Sequence, residues 1–183
     1  MIEVRIHGRG GQGGVTSAEL VALAAISEGK YAQAFPSFGP ERRGAPVLSF
    51  IRVDAVPIKR RYEVRTPDVV VVLDPSLIQV ANVTAGLEKD GIIVINTGKR
   101  IADVKKEFAI DARVATVDAT KIAREILGLP ITNTTMIGAL VRATAIVEMD
   151  SLIEPLKHRF GRIAEKNIAV CQQAYKETIM EVN

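Results

Sequence analysis

The chain has 183 residues, of which 48% are apolar and 25% charged, with a formal net charge of +3. That length suits one domain spanning 1–183, and that apolar content can build a sizeable core. The mild charge gives no signature of nucleic-acid binding, and the apolar runs Val69–Leu73 and Ile92–Ile95 are far too short to span a bilayer.

The N-terminus reads MIEVRIHG, an immediate strand, with no basic start, apolar stretch and cleavage site of a signal peptide. One cysteine, Cys171, cannot form an internal disulfide, an iron–sulfur cluster or a structural zinc site. His7 and His158 lie far apart with no second ligand at metal spacing. These features together point to a cytoplasmic protein that holds no metal itself.

Ile2, Val4 and Ile6 alternate with polar residues and predict a first strand. Gly8 to Gly14 follows as a glycine-rich turn, then a helix over Thr16–Glu28, apolar enough to be buried on most sides and stopped at Gly29. Tyr31–Phe35 predicts a short strand. Pro36–Ala45 is a loop carrying Phe38, Glu41, Arg42 and Arg43. Val47–Val53 predicts a strand that turns at Asp54-Ala55, with Val56–Lys59 returning antiparallel, which would make the sheet mixed.

Val69–Leu73 is a continuous apolar run, as a buried central strand requires. Asp74-Pro75 opens a helix to about Val83. Ile92–Ile95 and Val114–Val117 predict further buried strands. Asp118 caps a helix carrying Ile122 and Ile126 that stops at Gly128 and Pro130. Asn133 or Thr134 opens the helix of Met136 and Leu140, and Asp150 or Ser151 the next. The last helix carries a stripe of Ile168, Cys171, Tyr175 and Ile179. Strands alternating with helices imply a three-layer α/β/α Rossmann-like sandwich with a mixed, mostly parallel sheet.

Gly8-Arg9-Gly10-Gly11-Gln12-Gly13 fits G-x-G-x-x-G between a strand and a helix. Glycines permit a sharp turn and close ligand approach, and the helix N-terminus offers free N–H groups to an anion. The acidic residue that a nicotinamide site wants at the end of the second strand is missing near Ala34-Phe35-Pro36, and Gln12 is unusual in such a turn. A close strand–helix crossing that needs small residues is the competing reading of the same glycines.

The same residues, followed by Thr16, resemble the opening of the gamma subunit, or domain III, of the 2-oxoacid:ferredoxin oxidoreductases. The resemblance continues through Phe35-Pro36-Ser37-Phe38-Gly39-Pro40-Glu41-Arg42-Arg43-Gly44-Ala45-Pro46-Val47, Arg52-Val53-Asp54, Pro67-Asp68, Asp74-Pro75, Asn133-Thr134-Thr135-Met136-Ile137-Gly138-Ala139 and Asn167. It favours the pyruvate branch, with the 2-oxoglutarate and indolepyruvate branches as alternatives and a stand-alone nucleotide-binding protein as the rival from another class.

The resemblance implies a subunit without catalysis of its own in a complex that turns pyruvate, coenzyme A and oxidised ferredoxin into acetyl-CoA, carbon dioxide and reduced ferredoxin. It implies thiamine diphosphate, magnesium and 4Fe-4S clusters on alpha, beta and delta partners, and none bound by this chain alone. Ferredoxin would be met through the complex, and no nucleic acid or membrane is implied. Coenzyme A carries phosphates, and Arg9, Gly10, Gly11, Gln12, Gly13, Arg42 and Arg43 are the candidates to hold them. A purely structural role, with Arg42 and Arg43 in subunit contacts, is the alternative.

Overall fold

A computed structural model describes residues 1–37 and 44–181. The predicted loop residues Phe38, Glu41, Arg42 and Arg43 lie outside the described residues. Seven strands form one sheet: β1 (Ile2–Arg9), β2 (Tyr31–Pro36), β3 (Pro46–Asp54), β4 (Val69–Val72), β5 (Ile92–Asn96), β6 (Arg113–Val117) and β7 (Ile179–Met180). Their spatial order is β2-β3-β1-β4-β5-β6-β7. β1, β4, β5 and β6 run parallel, while β3 lies antiparallel between β1 and β2, and β7 antiparallel on β6. The sheet is thus mixed and mostly parallel.

The helices are α1 (Gly14–Ser27), α2 (Leu77–Val80), α3 (Ile101–Phe108), α4 (Ala119–Leu127), α5 (Asn133–Thr144), α6 (Ile153–Phe160) and α7 (Ala164–Glu177). Alternation along each strand sorts side chains onto two faces. Val4, Ile6, Ile51, Val53, Val69, Val71, Ile92 and Val94 pack under α1, α4, α5 and α7. Val70, Val72, Ile93, Ile95 and Val114 pack under α2 and α3, through Leu77 and Val104. Each fully buried Val or Ile contributes about 1.5–3 kcal/mol.

β1 and β3 are different on the second face, because they give no side chain to the core under α2 and α3. Glu3, Arg5 and His7 of β1 and Arg52 of β3 are all buried there. The register sets Glu3 opposite Arg52. Arg52 Nε donates to Glu3 Oε1 at 2.6 Å, Arg60 Nη1 donates to Glu3 Oε2 at 3.0 Å, and Arg52 Nη2 donates to the Tyr62 carbonyl at 2.7 Å. The Arg52 guanidinium also lies over the rings of Phe35 and Tyr62, at 5.3 and 5.2 Å from their centroids. Phe35 packs on Phe50, with centroids 5.2 Å apart.

Helix α4 starts as predicted, with Asp118 Oδ1 accepting from Lys121 N at 2.9 Å. α5 and α7 cross closely at Gly138, where a Cβ would fall on the Cys171 carbonyl. A buried link joins the same pair, as Thr134 Oγ1 donates to Asn167 Oδ1 at 2.9 Å.

Several elements differ from the sequence reading. Val56–Lys59 forms no strand, and Arg60 and Tyr62 beyond it close over the Glu3–Arg52 pair instead. The helix after Asp74-Pro75 is a single turn, Leu77–Val80, because the backbone is already extended at Ala81, although Asp74 Oδ1 does accept from Ser76 N at 3.0 Å as a cap would. Ile179 leaves the predicted stripe and pairs with Thr116 in β7. α3 is absent from the sequence reading, although Ile101, Val104 and Phe108 stand at helical spacing and pack on the second face.

Glu3→Ala would leave the Arg52 guanidinium buried without its carboxylate. The expected loss is about 3–5 kcal/mol of folding stability in urea denaturation, partly recovered in a Glu3→Ala, Arg52→Met double variant.

Candidate functional site

β1 delivers the chain to Arg9, and α1 starts at Gly14. β4 runs parallel beside β1, with His7 opposite Val72. The chain leaves β1 for α1 on one face of the sheet and leaves β4 for α2 on the other. Such a divergence opens a crevice at the carboxyl ends of the two strands, where α/β sheets place their ligands. The glycine turn and Asp74 meet in that crevice.

Gly11 and Gly13 take positive φ of 93° and 78°, and Gly13 is the residue before the first helical position. A Cβ on Gly13 would stand 2.6 Å from Asn133 Nδ2. Gly13 is therefore needed for a close packing contact with the start of α5, a helix–helix contact rather than the strand–helix crossing expected. Gly14 lies against Ser49 in the same way, 3.3 Å from a built Cβ to its Oγ. The first turn of α1 opens into a cleft of about 270 Å³ lined by Gly8–Gly11, Gly13–Thr16, Val47 and Ser49. No side chain caps this helix, so its N–H groups and positive dipole end face the cleft.

Arg9 and Gln12 are tied into the fold. Arg9 Nε donates to Asp74 Oδ2 at 2.8 Å, Nη1 to the Gly44 carbonyl at 3.1 Å and Nη2 to Ser76 Oγ at 2.8 Å. Gln12 Oε1 accepts from Arg9 N at 2.7 Å, and Gln12 Nε2 donates to Asp74 Oδ2 at 3.3 Å. Gly10 N donates to the Ala45 carbonyl at 2.9 Å, which zips the turn onto the start of β3. Burial works to raise the Asp74 carboxyl, but hydrogen bonds from Ser76, Arg9 and Gln12 outweigh it and hold the group below the usual carboxylate range. Asp74 is thus an anion at neutral pH that neutralises Arg9 at the rim of the cleft.

The structure brings Arg9, Gly10, Gly11, Gln12 and Gly13 together, while Arg42 and Arg43 lie outside the described residues. Sequence reasoning missed Asp74 as the partner of Arg9, having used it as a helix cap. It also missed Arg159, whose Nη2 donates to Thr16 Oγ1 at 3.3 Å from the far end of the chain.

His7 is buried and accepts a hydrogen bond at Nε2 from Arg5 Nε at 3.1 Å. Burial, then the Arg5 charge, lowers its pKa from 6.5 to about 4. His7 is neutral at pH 7, with its proton on Nδ1. Burial pushes the Cys171 thiol up to about 12, so it stays protonated and inert. Among the described residues no three His, Cys, Asp or Glu side chains gather as a metal site, and no helix is long and apolar enough to cross a membrane.

Residues 3–177 match the pyruvate ferredoxin/flavodoxin oxidoreductase family. The chain belongs to this family. It is 53% identical over 180 residues to the common gamma subunit of the pyruvate/ketoisovalerate oxidoreductases of Pyrococcus furiosus, covering 97% of each chain. It is 52% identical over 178 residues to the pyruvate synthase subunit PorC of Methanothermobacter thermautotrophicus, covering 97% of this chain and 96% of that one. Among solved structures, the pyruvate oxidoreductase subunit PORC of Thermotoga maritima superposes with a TM-score of 0.89 at 36% identity, covering 99% and 98% of the two chains. This family scaffold thus has its glycine turn at the crevice, where small residues are required by close packing at Gly13 and Gly14.

Two outcomes follow from the site. Gly13→Ala should destabilise the fold by about 1–2 kcal/mol from its left-handed backbone alone, and by more from the clash with Asn133; thermal unfolding checks this. His7 should resist protonation in the native state. Its folded pKa lies below the unfolded value, so the stability it carries is full above 6.5 and is lost as pH falls from 6.5 towards 4. The loss amounts to roughly 3 kcal/mol. An NMR titration of the imidazole, set beside urea unfolding at several pH values, tests both halves.

Proposed function

We propose that this chain is the gamma subunit of a multi-subunit pyruvate:ferredoxin oxidoreductase and that it binds coenzyme A phosphates without catalysing a step itself. The single observation that carries the first half is identity above 50% along almost the whole chain to gamma and PorC subunits of pyruvate-using enzymes. The complex would join pyruvate, coenzyme A and oxidised ferredoxin into acetyl-CoA, carbon dioxide and reduced ferredoxin. Alpha, beta and delta partners would hold thiamine diphosphate, magnesium and the 4Fe-4S clusters. One buried, protonated cysteine does not fit cluster ligation, so the clusters belong on the partner chains.

The Pyrococcus furiosus relative is a subunit common to pyruvate and ketoisovalerate oxidoreductases. Carried over to this chain, that puts the choice of 2-oxoacid on other subunits. What remains for this one is the shared co-substrate and the assembly.

The cleft at the start of α1 supports a phosphate seat. Its donors are the backbone N–H groups of Gly11 and of Gly13 to Thr16, preoriented by the turn and aided by the helix dipole, while Gly10 N and Gln12 N are already given to the Ala45 and Arg9 carbonyls. Arg9 is held at the rim by Asp74 and adds a hydrogen-bonding edge rather than a full free charge. Arg42 and Arg43 complete the proposed set as forked donors to phosphate.

Purifying this chain from its native cells tests the subunit reading. Co-purification of thiamine-binding and cysteine-rich chains with iron is expected, and the isolated chain should show no pyruvate-dependent dye reduction. In the assembled complex, Arg42→Ala with Arg43→Ala should raise KM for coenzyme A, by about tenfold or more for each lost charge-assisted contact. An unchanged KM beside a dissociating complex would assign the pair to assembly instead.

A further inference from the structure

A second and larger cavity, of about 510 Å³, opens on the other face of β1. Its wall is mostly apolar, formed by Pro46, Leu48, Leu77 and Ala81, with Ser37 and Asn82 as neutral polar members and Arg5 and His7 as its titratable side chains among the described residues. It shares Gly8 and Val47 with the glycine-turn cleft. Neither the family membership nor the proposed phosphate seat gives this cavity a role.

Arg5 is only 7% exposed, and no ion pair among the described residues includes it. Its guanidinium is nevertheless held firmly. Nε donates to His7 Nε2 at 3.1 Å, and Nη2 donates to the carbonyls of Val83, at 3.0 Å, and Ala85. Three neutral acceptors thus fix the plane without neutralising the charge. Nη1 has no partner among the described residues, and unlike Nη1 of Arg52 it is not sealed in.

A buried charge that lacks a counter-charge is costly, and a guanidinium cannot escape the cost by losing its proton. The contrast with Arg52 is direct, because that neighbour on the same face has Glu3 at 2.6 Å. His7 offers Arg5 an uncharged acceptor and contributes no second positive charge. One fixed cation in an apolar wall matches a ligand with one negative charge and an apolar body. A phosphate dianion would be left half-neutralised there. An inserted side chain would fill a fraction of a volume that falls within the ~300–1,000 Å³ range of small-molecule sites.

We propose that the Arg5–His7 cavity binds a small organic monocarboxylate, its carboxylate paired with the Arg5 guanidinium and its hydrocarbon body lying on Leu48, Pro46, Leu77 and Ala81.

Isothermal titration of the full 183-residue chain with hexanoate and with its uncharged amide, hexanamide, tests this. Hexanoate should bind saturably at one site, at least about tenfold more tightly than hexanamide, since only the former makes a charge-assisted contact. Arg5→Met should remove that preference. Because Arg5 also bonds the Val83 and Ala85 carbonyls, a second variant guards against misfolding: Ala81→Phe should fill the cavity and abolish binding of both probes with Arg5 intact. Equal affinities in the unaltered chain, or no saturable binding, would overturn the proposal. Binding to the isolated chain that vanishes in the assembled oxidoreductase would overturn it too, by assigning Arg5 to a carboxylate of a partner subunit.

Discussion

β1 is the strand on which this structure turns, because it is buried on both faces but apolar on only one. Val4 and Ile6 supply the helix-covered side, while Glu3, Arg5 and His7 supply the other. A strand in that position must either leave its polar side chains in water or satisfy them internally. Here each finds protein partners: Glu3 takes Arg52 and Arg60, Arg5 takes two carbonyls, and His7 takes Arg5. The segments that provide these partners, around Tyr62 and around Val83–Ala85, are thereby pinned over the sheet without forming a helical layer. The mixed direction of the sheet serves the same end. The antiparallel register of β3 sets Arg52 directly opposite Glu3.

The same strand fixes the crevice. Because β4 follows β1 in parallel and the two connections leave on opposite faces, the glycine turn and Asp74 come together at the strand ends. The resulting network is closed in on itself: Asp74 accepts from Arg9, Gln12 and Ser76. Closure makes the turn rigid and holds the backbone N–H groups of the α1 start in one arrangement. Rigid donors lose little freedom when an anion arrives, which is how preorganisation raises affinity. The cost is that Arg9 arrives already neutralised. Its contribution to any ligand is geometric more than electrostatic.

Much of the fold was legible in the sequence, and the reasons for the exceptions are physical. The runs Val69–Leu73, Ile92–Ile95 and Val114–Val117 are strands because continuous β-branched residues suit a sheet buried on both sides. Asp118 is legible as a cap because its role is local. Alternation in β1, by contrast, is the pattern of a half-exposed strand, and nothing local tells Glu3, Arg5 and His7 that partners from 49 to 80 residues away will bury them. The return strand at Val56–Lys59 was misread for the same reason: that stretch leads into residues committed to covering Glu3 and Arg52. Asp74 accepts from Ser76 N with one oxygen, as the local Asp-Pro signal suggests, but nothing local announces that Arg9, 65 residues away in sequence, takes the other. The glycine turn was legible in place but not in purpose, since Gly13 is required by Asn133 whether or not a ligand binds.

The contrast between the two buried arginines on the second face of the sheet separates structural charge from available charge. Arg52 is fully buried, paired to Glu3 and flanked by Phe35 and Tyr62. Its remaining nitrogen is shut away and can meet nothing. Arg5 is almost as deeply buried, but its acceptors among the described residues are neutral and Nη1, without a partner among them, faces an open, mostly apolar cavity. Evolution of a purely structural arginine on this face would favour the first arrangement, since pairing offsets the desolvation that burial imposes. The second arrangement keeps a positive potential beside a mostly apolar wall, where a charge acts on whatever enters with greater strength than at the open surface. The fold therefore maintains, beside the crevice at the glycine turn, a fixed cation whose partner does not come from its own described residues.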